Sequence, residues 1–202
     1  MGIGSQVEIR RGLPDEYRRQ AAEILYDGFQ QKFDVIFGSE AHGVAVLEKD
    51  LVSDYLLIAL YQGELVGVAG MEYRHGRRRG RYMRPRASTF IAEYGPLRGL
   101  FMVAVSPIFF APRGKGELHL GPIAVRADLR GKGVGTRLLE ASFELARNEG
   151  LHAARLEVVD TNPAAQRLYE RMGFVAVKVK HYPFIRNRMG MSANIAMIKK
   201  LD

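Results

Sequence analysis

The stretch Ile123-Ala-Val-Arg-Ala-Asp-Leu-Arg-Gly-Lys-Gly-Val-Gly-Thr136 constrains this chain more than any other part of it. The residues before it, from Glu117 to Val125, read as a strand, and a helical pattern runs from about Gly133 to Glu149. Three glycines, at 131, 133 and 135, join the two, so the backbone can approach a ligand and turn several N–H groups toward one point. The first turn of a helix has unpaired N–H groups and a positive partial charge. The segment therefore reads as an anion site suited to a pyrophosphate, with Arg130 and Lys132 adding full charges. A Walker loop is excluded because its Gly-Lys-Ser/Thr ending and spacing are absent. The G-x-G-x-G spacing also departs from the dinucleotide fingerprint, and no acid ends a strand about 20 residues later. By itself, the glycine turn says only that a helix start can hold an anion.

Elsewhere the pattern alternates between strands and helices. Val7 to Arg10 reads as a short strand, and Tyr17, Ala21, Ile24, Leu25 and Phe29 recur at helical spacing, which predicts a helix from about Asp15 to Phe29. A second helix is expected over Ala41 to Asp50. Strands at Tyr55–Leu60 and Glu64–Tyr73 follow, joined by a tight Gln62-Gly63 hairpin. After the glycine segment come a strand over Ala154–Val159, a helix from about Pro163 to Met172, and strands near Val175–Lys180 and Asn194–Lys200. Strands and helices of these lengths, alternating in this way, indicate a three-layer α/β or α+β sheet domain, and 202 residues can bury a real core.

Composition narrows the classes further. The chain is 47% hydrophobic and 26% charged, as in ordinary globular proteins. No apolar run approaches the roughly 20 residues of a membrane span, and the N-terminus has no signal pattern, so secretion is not indicated. There are no cysteines, which removes disulfides, thiolate metal sites and a cysteine nucleophile, and is compatible with a cytoplasmic location. His42, His75, His152 and His181 show no metal-ligand spacing, so no metal is expected. The net charge of +8 is local: seven arginines and no acid lie between Arg74 and Arg86, and without them the chain carries +1.

Arg130-x-x-Gly133-x-Gly135 resembles the Q/R-x-x-G-x-G/A motif of the GCN5-related N-acetyltransferase (GNAT) superfamily. Downstream, Leu156-Glu-Val-Val-Asp-Thr-Asn-Pro-Ala-Ala-Gln-Arg-Leu-Tyr-Glu-Arg-Met-Gly-Phe174 resembles that superfamily's strand–Asn–helix–Leu-Tyr-x-x-x-Gly-Phe segment, at the expected distance. The match covers about residues 117 to 182. The resemblance implies a mixed central sheet with helices on both faces, in which the parallel strands ending near Val125 and Val159 splay apart. It implies acetyl-CoA as acyl donor, a primary amine of a small molecule or peptide as acceptor, and direct transfer between them. Backbone groups of Ile123, Ala124 and Val125 would pair with the pantetheine arm and polarise the thioester carbonyl. Amides of Arg130, Gly131, Lys132, Gly133, Val134, Gly135 and Thr136 would hold the pyrophosphate. Asn162 would hydrogen-bond the cofactor or a water.

An amine near pKa 10 must lose a proton before it attacks, and the departing thiolate must be stabilised, so a base and an acid are needed. By the same resemblance, Tyr169 lies where the superfamily often places a hydroxyl beside the sulfur, and it serves there as the acid. Three residues compete as base. Glu157 matches the base position of bacterial ribosomal-protein alanine acetyltransferases. His119 lies four residues before Ile123, where related enzymes place a glutamate or histidine. Glu117, two residues earlier on the same strand face, could share or orient a proton with His119. Each could instead be an ordinary strand-surface group, for instance Glu157 paired with Arg155.

The chain departs from the superfamily in about 40 extra residues at 74–116, expected as a loop plus one or two helices inserted within a single domain spanning 1–202. Its arginines would suit an acidic or phosphate-bearing substrate, or simply a solvated loop. Phe90, Tyr94, Leu97, Leu100, Phe101, Val105 and Phe109 form an apolar face expected to be buried near the substrate mouth or, second, in a homodimer. His181-Tyr-Pro-Phe184 resembles the acceptor side of ribosomal-protein acetyltransferases. Two other functions compete: an inactive acyl-CoA-binding regulatory module, and a nucleic-acid binder using Arg74–Arg86, for which the lack of aromatics among Arg77–Arg81 is unfavourable.

Overall fold

The computed structural model describes residues 3–75, 78–105, 116–182 and 192–201. It begins with β1 (Glu8–Arg11), then three helices: α1 (Arg18–Gly28), α2 (Gln30–Phe37) and α3 (Glu40–Asp50). Next come β2 (Leu56–Tyr61), β3 (Glu64–His75), β4 (Arg78–Arg81), α4 (Ala87–Tyr94) and α5 (Pro96–Val105). The remainder is β5 (Glu117–Val125), α6 (Val134–Asn148), β6 (Ala153–Val159), α7 (Pro163–Arg171), β7 (Val175–His181) and β8 (Ala193–Lys200). The strands form one mixed sheet in the order β1-β2-β3-β5-β6-β8-β7, with β4 also paired to β3. This is the α+β architecture expected, and most element bounds fall within two residues of the sequence reading.

Alternation along each strand divides the core in two. Leu118, Leu120, Ala154, Leu156 and Val158 turn toward α6, together with Val134, Leu138, Leu139 and Phe143. Leu56, Ile58, Leu65, Val68 and Ala124 turn the other way and pack against α1 and α3 through Leu25, Tyr26 and Leu47. The two faces are called the α6 face and the α1 face below. Gln62 and Gly63 both have positive φ, 54° and 83°, as a two-residue hairpin of primed type requires.

Three features depart from expectation. The first is α2, which lies between the expected helices Asp15–Phe29 and Ala41–Asp50, where no element was expected. Phe29, Phe33 and Phe37 follow one another at four-residue spacing and their rings contact in series, with Gly38 closing the helix at φ 82°. The second concerns the arginine run, expected as a loop. Part of it is sheet: β3 continues to His75 and β4 pairs back on it, with Glu72 opposite Arg81. The third is the apolar face at 90–109. Phe90 is buried, but Leu97 is 89% exposed, Phe101 66% and Leu100 59%, so that face divides between core and surface. Phe109 and the side chain of Val105 lie outside the described residues.

The helical part of the insertion is anchored to α3 by Asp50, whose side chain is fully buried. Its carboxylate accepts from Arg86 N–H (3.0 Å), Arg86 Nε (2.8 Å) and Thr89 Oγ1 (2.8 Å), and Arg86 also reaches the Lys49 carbonyl. The Asp50 carbonyl accepts from Arg84 N–H at 2.9 Å, and Leu51 bridges Met83.

Burial has one consequence for stability against pH. Desolvation pushes the phenols of Tyr94 and Tyr169 up to about 12, and burial plus a hydrogen bond to Asp34 raises Tyr26 as well. Above pH 10 the unfolded chain has released phenolic protons that the folded chain still holds, so stability falls as pH rises. The loss should be absent below about pH 10 and develop between about 10 and 12. Urea midpoints at intervals across that range test this; a flat midpoint, or a decline unchanged by Tyr26→Phe together with Tyr94→Phe, would contradict it.

Candidate functional site

The strands β5 and β6 run parallel but pair over only three rows: Glu117 with Ala153, Leu118 with Ala154, and His119 with Arg155. Beyond them β5 continues to Val125 on β3, and β6 continues to Val159 on β8. Among the described residues, no strand pairs with the facing edges of Leu120–Val125 and Leu156–Val159. A gap therefore opens in the middle of the sheet, flanked by backbone groups in extended conformation, which is what a linear amide-bearing ligand can pair with. At the point of divergence β5 carries a bulge at Gly121-Pro122, opposite Gly70.

The open end of the gap leads from Val125 to the glycine turn. Gly131 (φ 74°) and Gly133 (φ 89°) take left-handed backbone that a Cβ would strain. Gly135 does not; a Cβ there would make only ordinary contacts with Leu168 and Val125. Gly133 is the N-cap of α6, and no side chain caps it, so the N–H groups of the first turn face outward as an anion site requires. The turn is braced from behind: Gly4 N–H donates to the Lys132 carbonyl at 3.0 Å, and the Gly4 Cα stands against Gly133. Arg130 is placed differently from the expected phosphate contact. Its guanidinium reaches Asp27 on α1, and its Nε donates to the Val125 carbonyl at 3.0 Å. Ile123, Ala124 and Val125 end β5, Lys132 lies in the turn, and Val134 and Thr136 belong to the first turn of α6, with Val134 buried in the core.

The candidate acid and bases divide between the two faces. Glu117, His119, Arg155 and Glu157 all point to the α1 face, because the alternate residues fill the α6-side core. Glu117 is committed to Arg155 (2.9 Å), and this bond raises the arginine's pKa. Arg155 thus has Glu117 as its hydrogen-bonded partner, and the Glu157 carboxylate adds a Coulombic attraction. Glu157 is exposed, two residues past the last β5–β6 pair, and Asn194 Nδ2 donates to its Oε2 at 2.7 Å. His119 has its Nδ1 buried and stands opposite Glu72 of β3. Asn162 caps α7, its side-chain oxygen accepting from Ala165 N–H at 3.0 Å. Tyr169, on the α6 side, is half-buried with its ring edge-on to Phe174. Pro183 and Phe184 lie outside the described residues.

Three residues at this site were not singled out from sequence. Glu72 and Asn194 come beside His119 and Glu157 only through cross-strand register. Tyr82 lies with its ring against Gly70 and Gly121 at the bulge. A pair of glycines inside two strands, without positive φ, was the one local signal that something packs closely there.

The model of the Acetyltransferase (GNAT) family matches residues 22–174. The chain is 39% identical over 67 residues to the probable N-acetyltransferase camello of Xenopus tropicalis, covering 33% of this chain and 31% of that protein. It is 44% identical over 52 residues to the L-methionine sulfoximine/L-methionine sulfone acetyltransferase of Pseudomonas paraeruginosa, covering 26% and 30%. The match thus spans about a third of the length of these curated relatives. The crystal structure of the ribosomal-protein-S18-alanine N-acetyltransferase from Escherichia coli superposes with a TM-score of 0.57 at 19% identity, over 97% of this chain and 94% of that one, which shows the fold.

Proposed function

The chain belongs to the acetyltransferase (GNAT) family, and from that premise we propose that it transfers the acetyl group of acetyl-CoA to a primary amine. The observation that carries this reading is the gap between β5 and β6, with the uncapped α6 start at its open end. The residues present fit the donor. The first-turn amides of α6 and the Gly131–Gly133 turn would hold the pyrophosphate, and the edge of β5 from Val125 back to Leu120 would pair with the pantetheine amides. Arg130 would exchange its bond to the Val125 carbonyl for this ligand.

Glu157 is assigned as the base. It lies on the rim of the gap, where Asn194 holds one carboxylate oxygen, and from there the carboxylate takes a proton from the acceptor ammonium. A backbone N–H near Ile123 polarises the thioester carbonyl as the amine nitrogen bonds to it and the C–S bond breaks. Tyr169, with its pKa at about 12, keeps its proton throughout the neutral range. It donates a hydrogen bond to a thiolate whose own pKa is nearer 8.5, and the thiol's proton comes finally from the acylated nitrogen. His119, facing Glu72 on the same face, is the second reading for the base.

The test is release of free thiol from acetyl-CoA over a panel of amines, including methionine sulfone, N-terminal peptides and arylalkylamines. Amine-dependent release with a matching acetylated product supports the proposal. Tight CoA binding with no turnover on any amine would favour the regulatory-module reading instead.

A further inference from the structure

Gly70 on β3 and Gly121 on β5 sit side by side on the α1 face, and neither has a positive φ, so neither serves to make a turn. Glycine inside a strand weakens it and marks a place where something comes close. Here that is the ring of Tyr82. A Cβ on Gly121 would stand 2.6 Å from Tyr82 Cε1, and one on Gly70 would stand 2.7 Å from Tyr82 Cγ and 3.1 Å from Pro122 Cδ. The backbone of Tyr82 is also tied down. Its carbonyl accepts from Val52 N–H at 2.8 Å, Met83 bridges Leu51, and the next turn of chain enters the Asp50 anchor. A ring seated on two glycines and held by its own backbone forms a wall at a fixed place.

That place is the closed end of the gap. The last β5–β6 pair is His119 with Arg155, and Gly121 is two residues further along β5. With phosphates at Arg130–Thr136 and the arm running back along Val125 toward Leu120, the acyl group comes to rest against Gly121-Pro122. Resting on the function proposed above, we infer that Tyr82 sets the length of acyl chain this chain accepts, admitting short-chain acyl-CoA thioesters and blocking longer ones. A two-carbon acyl group ends before the ring, and a six-carbon group must displace it.

Calorimetric binding of unreactive thioether ketones, without any acceptor, tests this independently of turnover. Wild type should bind S-acetonyl-CoA at least about tenfold more tightly than the ketone of hexanoyl length. In Tyr82→Ala that ratio should shrink to about twofold or less, while Tyr82→Phe, which keeps the ring, should retain it. Melting curves report folding, and if Tyr82→Ala does not fold, Tyr82→Leu carries the comparison. Equal binding of both ketones by wild type, or an unchanged ratio in Tyr82→Ala or Tyr82→Leu, would overturn the inference and leave Tyr82 a packing residue. Failure of wild type to bind CoA itself would overturn the proposed function and this inference together, so the two failures are distinguishable.

Discussion

Asp50→Ala is expected to lower the unfolding free energy by about 3 kcal/mol. The carboxylate is fully buried and accepts three hydrogen bonds from Arg86 and Thr89 at the start of α4. Removing it leaves the Thr89 hydroxyl, itself buried, and the Arg86 N–H without their acceptor, and each such orphan costs about 1–3 kcal/mol. The Coulomb share is discounted, because the Arg86 side chain is 54% exposed and water screens it. Asp50→Asn keeps an acceptor oxygen and should lose roughly half as much. Urea unfolding of the two variants measures the difference. A loss below about 1 kcal/mol for Asp50→Ala would show that the insertion is held by something else. Because the same anchor follows directly on Tyr82, the destabilised variant should also relax acyl-length discrimination.

Glu157→Gln is the substitution expected to have the largest effect on turnover, a fall in kcat/KM of about 10²-fold or more. Glutamine keeps the shape and can still bond Asn194, but it cannot take a proton from an ammonium at neutral pH. The deficit should narrow as pH approaches the amine's own pKa near 10, where the free base no longer needs a catalyst to form. Asn194→Ala should produce a smaller fall with the same pH signature, since Asn194 acts through Glu157. If Glu157→Gln leaves the profile intact and His119→Gln removes its ascending limb, the base is His119.

Most of the element order was legible because burial leaves a period in the sequence. The alternation in Glu117–Val125 and the helical spacing from Val134 to Asn148 both reflect one face turned to the same core. α2 escaped because it buries little: Phe37 is its one buried residue, so its eight positions carry too short an apolar face to stand out. β4 escaped because Arg78–Arg81 carries no apolar alternation; it is a strand by pairing with β3, not by burying a face. The apolar residues of α5 were read as buried from their spacing, yet spacing says which residues share a face and not what covers it.

The glycine turn from Gly131 to Gly133 was determined by the sequence alone, because positive φ and an uncapped helix start are local properties of a few residues. Arg130, Glu117 and Glu157 were named by sequence, but their partners were decided by the fold: Asp27 and the Val125 carbonyl, Arg155, and Asn194 respectively. Tyr82 and Glu72 belong wholly to the tertiary structure. A strand specifies which of its residues face one way, whereas the residue standing opposite is set by register with a strand dozens of positions away.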